Sequence, residues 1–371
     1  MKKLVIKFLC IAVPILLLIG CVNAYVDPAA LFFRAREIST VVELLLEGNY
    51  IAGTENMNER HLQKQRIQSE ESLPEIIIIG SSRVMQIDST FIHQHVGEGE
   101  FVNHGVSGGG LYDYYGILGC YALYKGEWPK TIIIGADPWI FNGDNTEETR
   151  YDYYQNEITY MRALVSERKN AWGEKPKVLI MQAWDFTGQL FSPAYFQYAL
   201  EWRQGMDAKQ DISYRIVDGE DATEDALRRP DGSFRYPLNS IYRDPSDVEK
   251  EVANAIANNS IYHLTNYGEM NADMQKEFLL LVDFLQEQGV EVILYLPPFH
   301  PSYYEYFETN ENYKAVLATE EWLFEYAGIR GIQVYGSYNP AYQDLAPTDF
   351  LDGIHLRNLP EKEAWKQNGS N

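Results

Sequence analysis

The sequence predicts an α/β protein, with a parallel sheet wound with helices, an apolar helix before it and a large insertion within it. Three observations predict this. Residues 75–84 read Glu-Ile-Ile-Ile-Ile-Gly-Ser-Ser-Arg-Val, and a run of β-branched side chains between Pro74 and Gly80 suits a short strand buried on both faces. Strand, glycine turn and helical stretch then recur along the chain, the order that builds a parallel sheet. Finally, residues 8–26 are apolar apart from Asn23, close to the roughly 20 residues that span a bilayer.

In chain order, Lys2, Lys3 and Lys7 precede the apolar run. Residues 1–26 therefore read as a signal anchor with its lysines inside and the body outside the cytoplasmic membrane. Two processed forms compete with it. Val22-Asn23-Ala24 resembles a signal-peptidase site, giving a secreted protein, and Leu18-Ile19-Gly20-Cys21 resembles a lipoprotein box. The flank stays apolar through Leu31-Phe32-Phe33, which favours an uncleaved single-pass anchor. Residues 27–73 form a connector. Within it, Ile38, Val41, Val42, Leu44, Leu45 and Leu46 recur at helical spacing and need a partner surface, and residues 56–72, polar and charged, read as a surface segment.

Residues 74–371 carry the sheet. After the isoleucine strand, 101–103 form a second strand ended by His104-Gly105-Val106-Ser107-Gly108-Gly109-Gly110, and 111–125 a helix. A third strand, Thr131-Ile132-Ile133-Ile134, ends in Gly135-Ala136-Asp137-Pro138-Trp139. Strands at 292–296 and 332–335 follow helical stretches at 271–288 and 312–326, and the last turn delivers Asp349-Phe350-Leu351-Asp352-Gly353-Ile354-His355-Leu356. Between about 141 and 260 the rhythm breaks. This insertion contains a strand-like stretch at 178–181 and a turn at Arg229-Pro230-Asp231-Gly232-Ser233, and it is expected over the carboxyl end of the sheet.

Composition narrows the partners. The net charge of -22 over 371 residues disfavours nucleic acid, whose phosphates would repel the chain. The 27 tyrosines suit ordinary core filling and also contact with sugar rings. Cys10 and Cys21 lie in the apolar segment, so Cys120 stands alone in the body, with no disulfide and no cysteine metal cluster to form; it reads as a buried small hydrophobe. His93 and His95 lack a third ligand at suitable spacing and read as surface residues, while His104 and His300, each after a strand end, read as pocket lining. No metal or other cofactor is called for.

Reactive groups in open α/β sheets collect beyond the carboxyl ends of the strands, where Ser82 falls. A serine nucleophile needs a base, an orienting group for that base and donors for the oxyanion. Asp352 and His355, three residues apart, can present imidazole to serine and carboxylate to imidazole from one tight turn.

Taken together, these blocks resemble the SGNH (GDSL-like) hydrolase superfamily. They are most similar to its membrane-anchored bacterial branch, the extracytoplasmic proteins of alginate-type polysaccharide O-acetylation and lipoteichoic acid D-alanylation. The first block matches Gly80-Ser81-Ser82, which makes Ser82 rather than Ser81 the nucleophile; the second matches Asn103-His104-Gly105-Val106-Ser107-Gly108, with the Gly108 N–H as an oxyanion donor; the last matches Asp352-Gly353-Ile354-His355. The resemblance spans roughly 74–358 with the insertion unmatched, and implies a three-layer, flavodoxin-like sheet with helices on both faces. It implies acyl transfer, acetyl being the expected group, to or from a cell-envelope polysaccharide, as transferase or esterase, beside a multi-span membrane acyltransferase. The third block departs from the pattern, with Asp137 where the family has an Asn donor, and losing such a donor costs about 2.7–4 kcal/mol of barrier. Asp137 then either donates while protonated, positions a sugar hydroxyl, or leaves the site slow or inactive. Arg83 is placed to pair with Asp137 or to meet an anionic polymer. A protein that keeps the fold only to bind glycan or a membrane partner is the alternative.

Overall fold

The computed structural model describes residues 2–27, 35–55, 57–144, 153–167, 188, 190–205 and 214–357, and the architecture below is that of these residues. The strand-like stretch at 178–181 and Leu31-Phe32-Phe33 lie outside them.

Nine strands are described: β1 (Tyr50–Ala52), β2 (Ile76–Ile79), β3 (Phe101–Asn103), β4 (Thr131–Gly135), β5 (Arg215–Val217), β6 (Leu227–Arg228), β7 (Phe234–Arg235), β8 (Glu291–Leu296) and β9 (Gln333–Gly336). Five of them form one parallel sheet in the order β3-β2-β4-β8-β9. The protein is thus a mixed α/β structure on a five-stranded parallel sheet, with one apolar N-terminal helix. The isoleucine run is the second strand of that sheet, and its four side chains divide between two cores. Ile77 and Ile79 join Ile132, Ile134, Leu294 and Leu296 under the helices Leu111–Cys120, Ala272–Glu287 and Lys314–Arg330. Ile76 and Ile78 face the other way, against Ile133, Ile293, Phe91, Tyr335, Phe350 and Leu356. Burial of such a side chain contributes about 1.5–3 kcal/mol, so a run without polar alternation is what a two-faced strand requires. The sheet order reverses between β2 and β4, and the crevice at such a reversal is where open α/β sheets place their ligands.

The helix Lys2–Val26 contains a stretch, Ile6–Val26, that is long and apolar enough to cross a membrane. The amphipathic connector helix, Ala35–Leu46, finds its partner in Ile51, Met57 and Leu62, against which Ile38, Val41, Val42 and Leu45 are buried. Residues 56–72 differ from expectation. They contain the helix Glu59–Ser69, capped by the Asn58 side chain and burying Arg60, His61, Leu62, Gln63, Arg66 and Ile67. Its polarity misleads because the buried polar groups serve as hydrogen-bond partners of neighbouring loops.

The central insertion is likewise knitted into the body. Strands β5, β6 and β7 join β1 of the connector in an antiparallel sheet ordered β5-β1-β6-β7. The 229–233 turn closes the β6–β7 hairpin, and the Asp231 carbonyl accepts from Asn103 N at the edge strand β3. The helix Pro245–Ala257 returns to the main core through Val248 and Val252. Among the described residues of the insertion, Tyr236 reaches the carboxyl end of the sheet, its hydroxyl 3.5 Å from the Ser82 carbonyl.

Candidate active site

The turn after β2 folds back on itself. Val84 N donates to the Ser81 carbonyl and Met85 N to the Ser82 carbonyl, leaving Ser82 at the surface of the turn, 9% exposed. Its Oγ lies 2.7 Å from His355 Nε2, and His355 Nδ1 lies 2.7 Å from Asp352 Oδ2. With the carboxylate accepting from Nδ1–H, Nε2 presents its lone pair to the serine hydroxyl.

Asp352 is itself fixed. Its Oδ1 accepts from the backbone N–H of Ile354 and of His355, each at 2.8 Å. Burial alone would raise this carboxyl, but the His355 ring and those two donors together outweigh it and hold Asp352 below the usual carboxylate range. The loop carrying the pair is pinned at Phe350 and Leu356, which bridge, and by Gln86, whose amide donates to the Leu356 carbonyl at 2.8 Å.

Gly108 sits in the turn after β3, at φ 60°. That turn is bonded to the nucleophile turn: His104 N donates to the Ile78 carbonyl and Val106 N to the Gly80 carbonyl. Gly109 allows the close approach, because a Cβ there would stand 2.5 Å from the Gly80 carbonyl oxygen and 3.0 Å from Ser81 Cα. The rest of the turn is clamped from several sides. Ser107 N donates to Glu59 Oε2, Gly110 N to Asp113 Oδ2, and Trp139 Nε1 to the Gly109 carbonyl. Arg60 pairs with Asp113 through two bonds of 2.7 and 2.8 Å and reaches the Ser107 carbonyl.

Of the two roles the sequence left open for Arg83, the structure shows the pairing with Asp137. Both are buried, and Arg83 Nη1 donates to Asp137 Oδ1 at 2.8 Å. The same guanidinium donates to the carbonyls of Ile354, Pro297 and Pro298, and lies 4.1 Å from the Phe299 ring centroid. Four of its five N–H donors are thus taken within the protein, and the Asp137 carboxylate is buried with it. Burial pushes the Asp137 carboxyl up, and the Arg83 charge opposes it. Arg83 thus joins the turns after β2, β4 and β8 to the loop that carries His355, a clip beneath the site.

The two histidines expected as pocket lining are also structural. His104 is buried between Gln63 Oε1, at 2.6 Å, and the Tyr121 hydroxyl, at 2.8 Å, and burial lowers its pKa. His300 caps the helix Pro301–Thr309 by accepting from Ser302 N, and burial lowers its pKa to about 4. His93 and His95 lie on the helix Ser89–His95, each bonded to a backbone carbonyl of its own neighbourhood. Cys120 is buried, and burial pushes its thiol up.

Tyr236, which sequence reasoning missed, comes from the insertion just after β7. Its ring centroid is 5.4 Å from that of His355, and its hydroxyl is 3.5 Å from the Ser82 carbonyl. Nothing local marks it, since the contact depends on where β7 leads the chain: Phe234 N donates to the Met85 carbonyl and sets that path. The Asp113 clamp did carry a sequence signal, a carboxylate three residues after the glycine that opens a helix. Among known proteins, no family model matches this chain, and no curated protein matches it.

Proposed function

We propose that this protein is an extracytoplasmic, serine-dependent acyltransferase or esterase of the SGNH type, moving an acyl group, acetyl by preference, to or from a cell-envelope polysaccharide. The observation that carries the reading is the continuous relay from Ser82 Oγ through His355 to Asp352, two contacts of 2.7 Å each. Ser82 Oγ attacks the acyl carbonyl carbon while its proton passes to His355 Nε2. The tetrahedral oxyanion meets the Gly108 N–H, then collapses with cleavage of the bond to the leaving alcohol, which takes the proton from His355. A sugar hydroxyl or water next gives its proton to His355, attacks the acyl-Ser82 carbonyl, and releases the serine. Asp352 stays ionised and stabilises the imidazolium in both halves.

Asp137 is paired with Arg83, so its charge does not face the serine unbalanced, and the oxyanion is left to the Gly108 N–H without the amide donor of the third block. The apolar stretch Ile6–Val26 is read as a single-pass anchor in the cytoplasmic membrane, its lysines inside. The body would then stand outside, where envelope polysaccharide and a multi-span acyltransferase partner are available.

Incubating full-length protein with an activated acetyl ester tests the reading. An acetyl adduct on Ser82, lost in Ser82→Ala, is the expected result. Absence of the adduct, with equal residual turnover in Ser82→Ala, would leave only a binding role. An oligosaccharide acceptor added to the same reaction separates transfer from hydrolysis.

A further inference from the structure

The last turns of the N-terminal helix are not bare. Asn23 Nδ2 donates to the carbonyls of Leu190 and Ser192, at 3.0 Å each, and the Tyr195 hydroxyl donates to Asp27 Oδ1 at 3.0 Å. Phe191 lies against Gly20 so closely that a Cβ at Gly20 would meet its ring at 2.9 Å. Between the two elements runs an apolar crevice of about 650 Å³, lined by Leu17, Cys21, Tyr25, Leu190 and Phe191 among others.

Depth along the helix gives this contact its meaning. Ile6–Val26 is 21 residues, about 31 Å at 1.5 Å per residue, against about 30 Å of hydrocarbon. The stretch fills the span with Lys7 at its inner end, and withdrawing it outward would draw Lys7 deeper and pull Lys2 and Lys3 into lipid. Gly20 therefore lies about 9 Å inside the outer boundary and Asn23 about 4.5 Å inside. Whatever touches Gly20 is at hydrocarbon depth as well. Backbone that leaves a helix at that depth must have its polar groups satisfied by protein; Asn23, from within an otherwise apolar helix, donates to the Leu190 carbonyl and adds a second bond to that of Ser192, which also accepts from Phe196 N.

We infer that residues 190–192 are embedded in the outer half of the membrane beside the anchor, and that the crevice between them holds a lipid acyl chain. Phe191 is 36% and Tyr25 73% exposed in the isolated chain, and both are side chains suited to the lipid boundary. The contact also explains a polar residue near the outer end of the apolar run. Cleavage before Cys21 would remove the Gly20 seat for Phe191, and cleavage after Ala24 would remove Asn23. The inference rests on the anchor reading given under Proposed function, and the test keeps the two apart.

Full-length protein is reconstituted in nanodiscs of phosphatidylethanolamine and phosphatidylglycerol. Nitroxide labels are placed singly through Leu16→Cys, Phe191→Cys and Tyr242→Cys in a background carrying Cys10→Ser and Cys21→Ser, Cys120 being buried. Collision rates with oxygen and with a water-soluble nickel chelate are measured. The label at 191 is expected to behave like that at 16, meeting the nickel chelate several-fold less often than the label at 242, and Asn23→Leu is expected to raise that rate several-fold. If 191 behaves like 242 while 16 is shielded, the inference fails and the anchor stands. If 16 is open to nickel, the anchor reading itself fails, and the inference with it. Unmodified protein in nanodiscs doped with a diazirine-bearing acyl lipid gives an independent readout. Adducts on the 17–26 segment and on residues 190–192 are expected, and adducts confined to residues 6–16 would overturn the crevice.

Discussion

Replacing Arg83 by methionine tests the claim that this residue is a clip beneath the site rather than a contact for substrate. In the wild type its guanidinium bonds Asp137 Oδ1 and the carbonyls of Pro297, Pro298 and Ile354, all in a buried setting. Removing one partner of a buried ion pair costs about 3–5 kcal/mol, because the other charge is left without compensation. Arg83→Met should therefore lower the folding equilibrium by roughly two to four powers of ten. The loss should depend on pH. Burial already raises the Asp137 carboxyl, and without Arg83 it rises further. A carboxyl whose folded pKa is raised favours the folded state at low pH and loses that contribution as pH rises through the folded value. The variant should thus be hurt most at alkaline pH and recover towards acid, and Arg83→Met/Asp137→Asn should be more stable than Arg83→Met alone. Urea unfolding of the full chain in detergent, followed by circular dichroism at pH 5.5 and 8, measures all three. A loss below about 1 kcal/mol, the size of an exposed pair, or a loss unchanged by pH and by Asp137→Asn, would refute the clip.

Three further outcomes are expected. Asp352→Asn should reduce kcat on the activated ester about 10⁴-fold, as loss of the orienting carboxylate does in other Ser-His-Asp sites. Because Asp352 is held below the usual carboxylate range, its stabilising contribution is complete above that range and disappears as pH falls through the folded value. The acid limb of the stability profile, read by unfolding midpoints, should flatten in this variant. Gly109→Ala forces the turn after β3 away from Gly80 and Ser81, and a displacement of about 1 Å at a reacting centre can reduce turnover about 10²-fold; unchanged kcat would remove the turn from the machinery. Tyr236→Ala deletes the ring beside His355, worth about 0.5–1.5 kcal/mol for such a pair. It should lower kcat/KM roughly 2- to 10-fold, with the circular dichroism spectrum retained.

The sheet was legible because its strands are short, apolar and closed by glycine turns, so that propensity, burial pattern and punctuation all agree. The isoleucine run shows this most directly, since a strand with no solvent face has to be internal. The Ser82, Asp352 and His355 group was legible for a related reason: its members stand at strand ends or within one tight turn, so their meeting follows from sheet topology plus local geometry. The helix Glu59–Ser69 was illegible because its polar side chains are buried with partners far away in sequence, and polarity alone cannot distinguish that from a solvated face. Tyr236 was illegible because its contact with His355 depends on where β7 leads the chain.

Sequence alone determined which residues lie on the parallel sheet, that a serine turn stands at the end of its buried strand, and which Asp-x-x-His pair can serve it, while the choice of Ser82 over Ser81 is what the resemblance implies. These are properties of short segments, governed by side-chain period and turn chemistry. Only the tertiary structure decided that Arg83 and Asp137 neutralise each other beneath the site, that the connector and the insertion share one sheet, and that Asn23 donates to the carbonyls of Leu190 and Ser192. Each of those depends on groups far apart in the chain competing for the same buried hydrogen bonds, and that competition is settled only when the chain has packed.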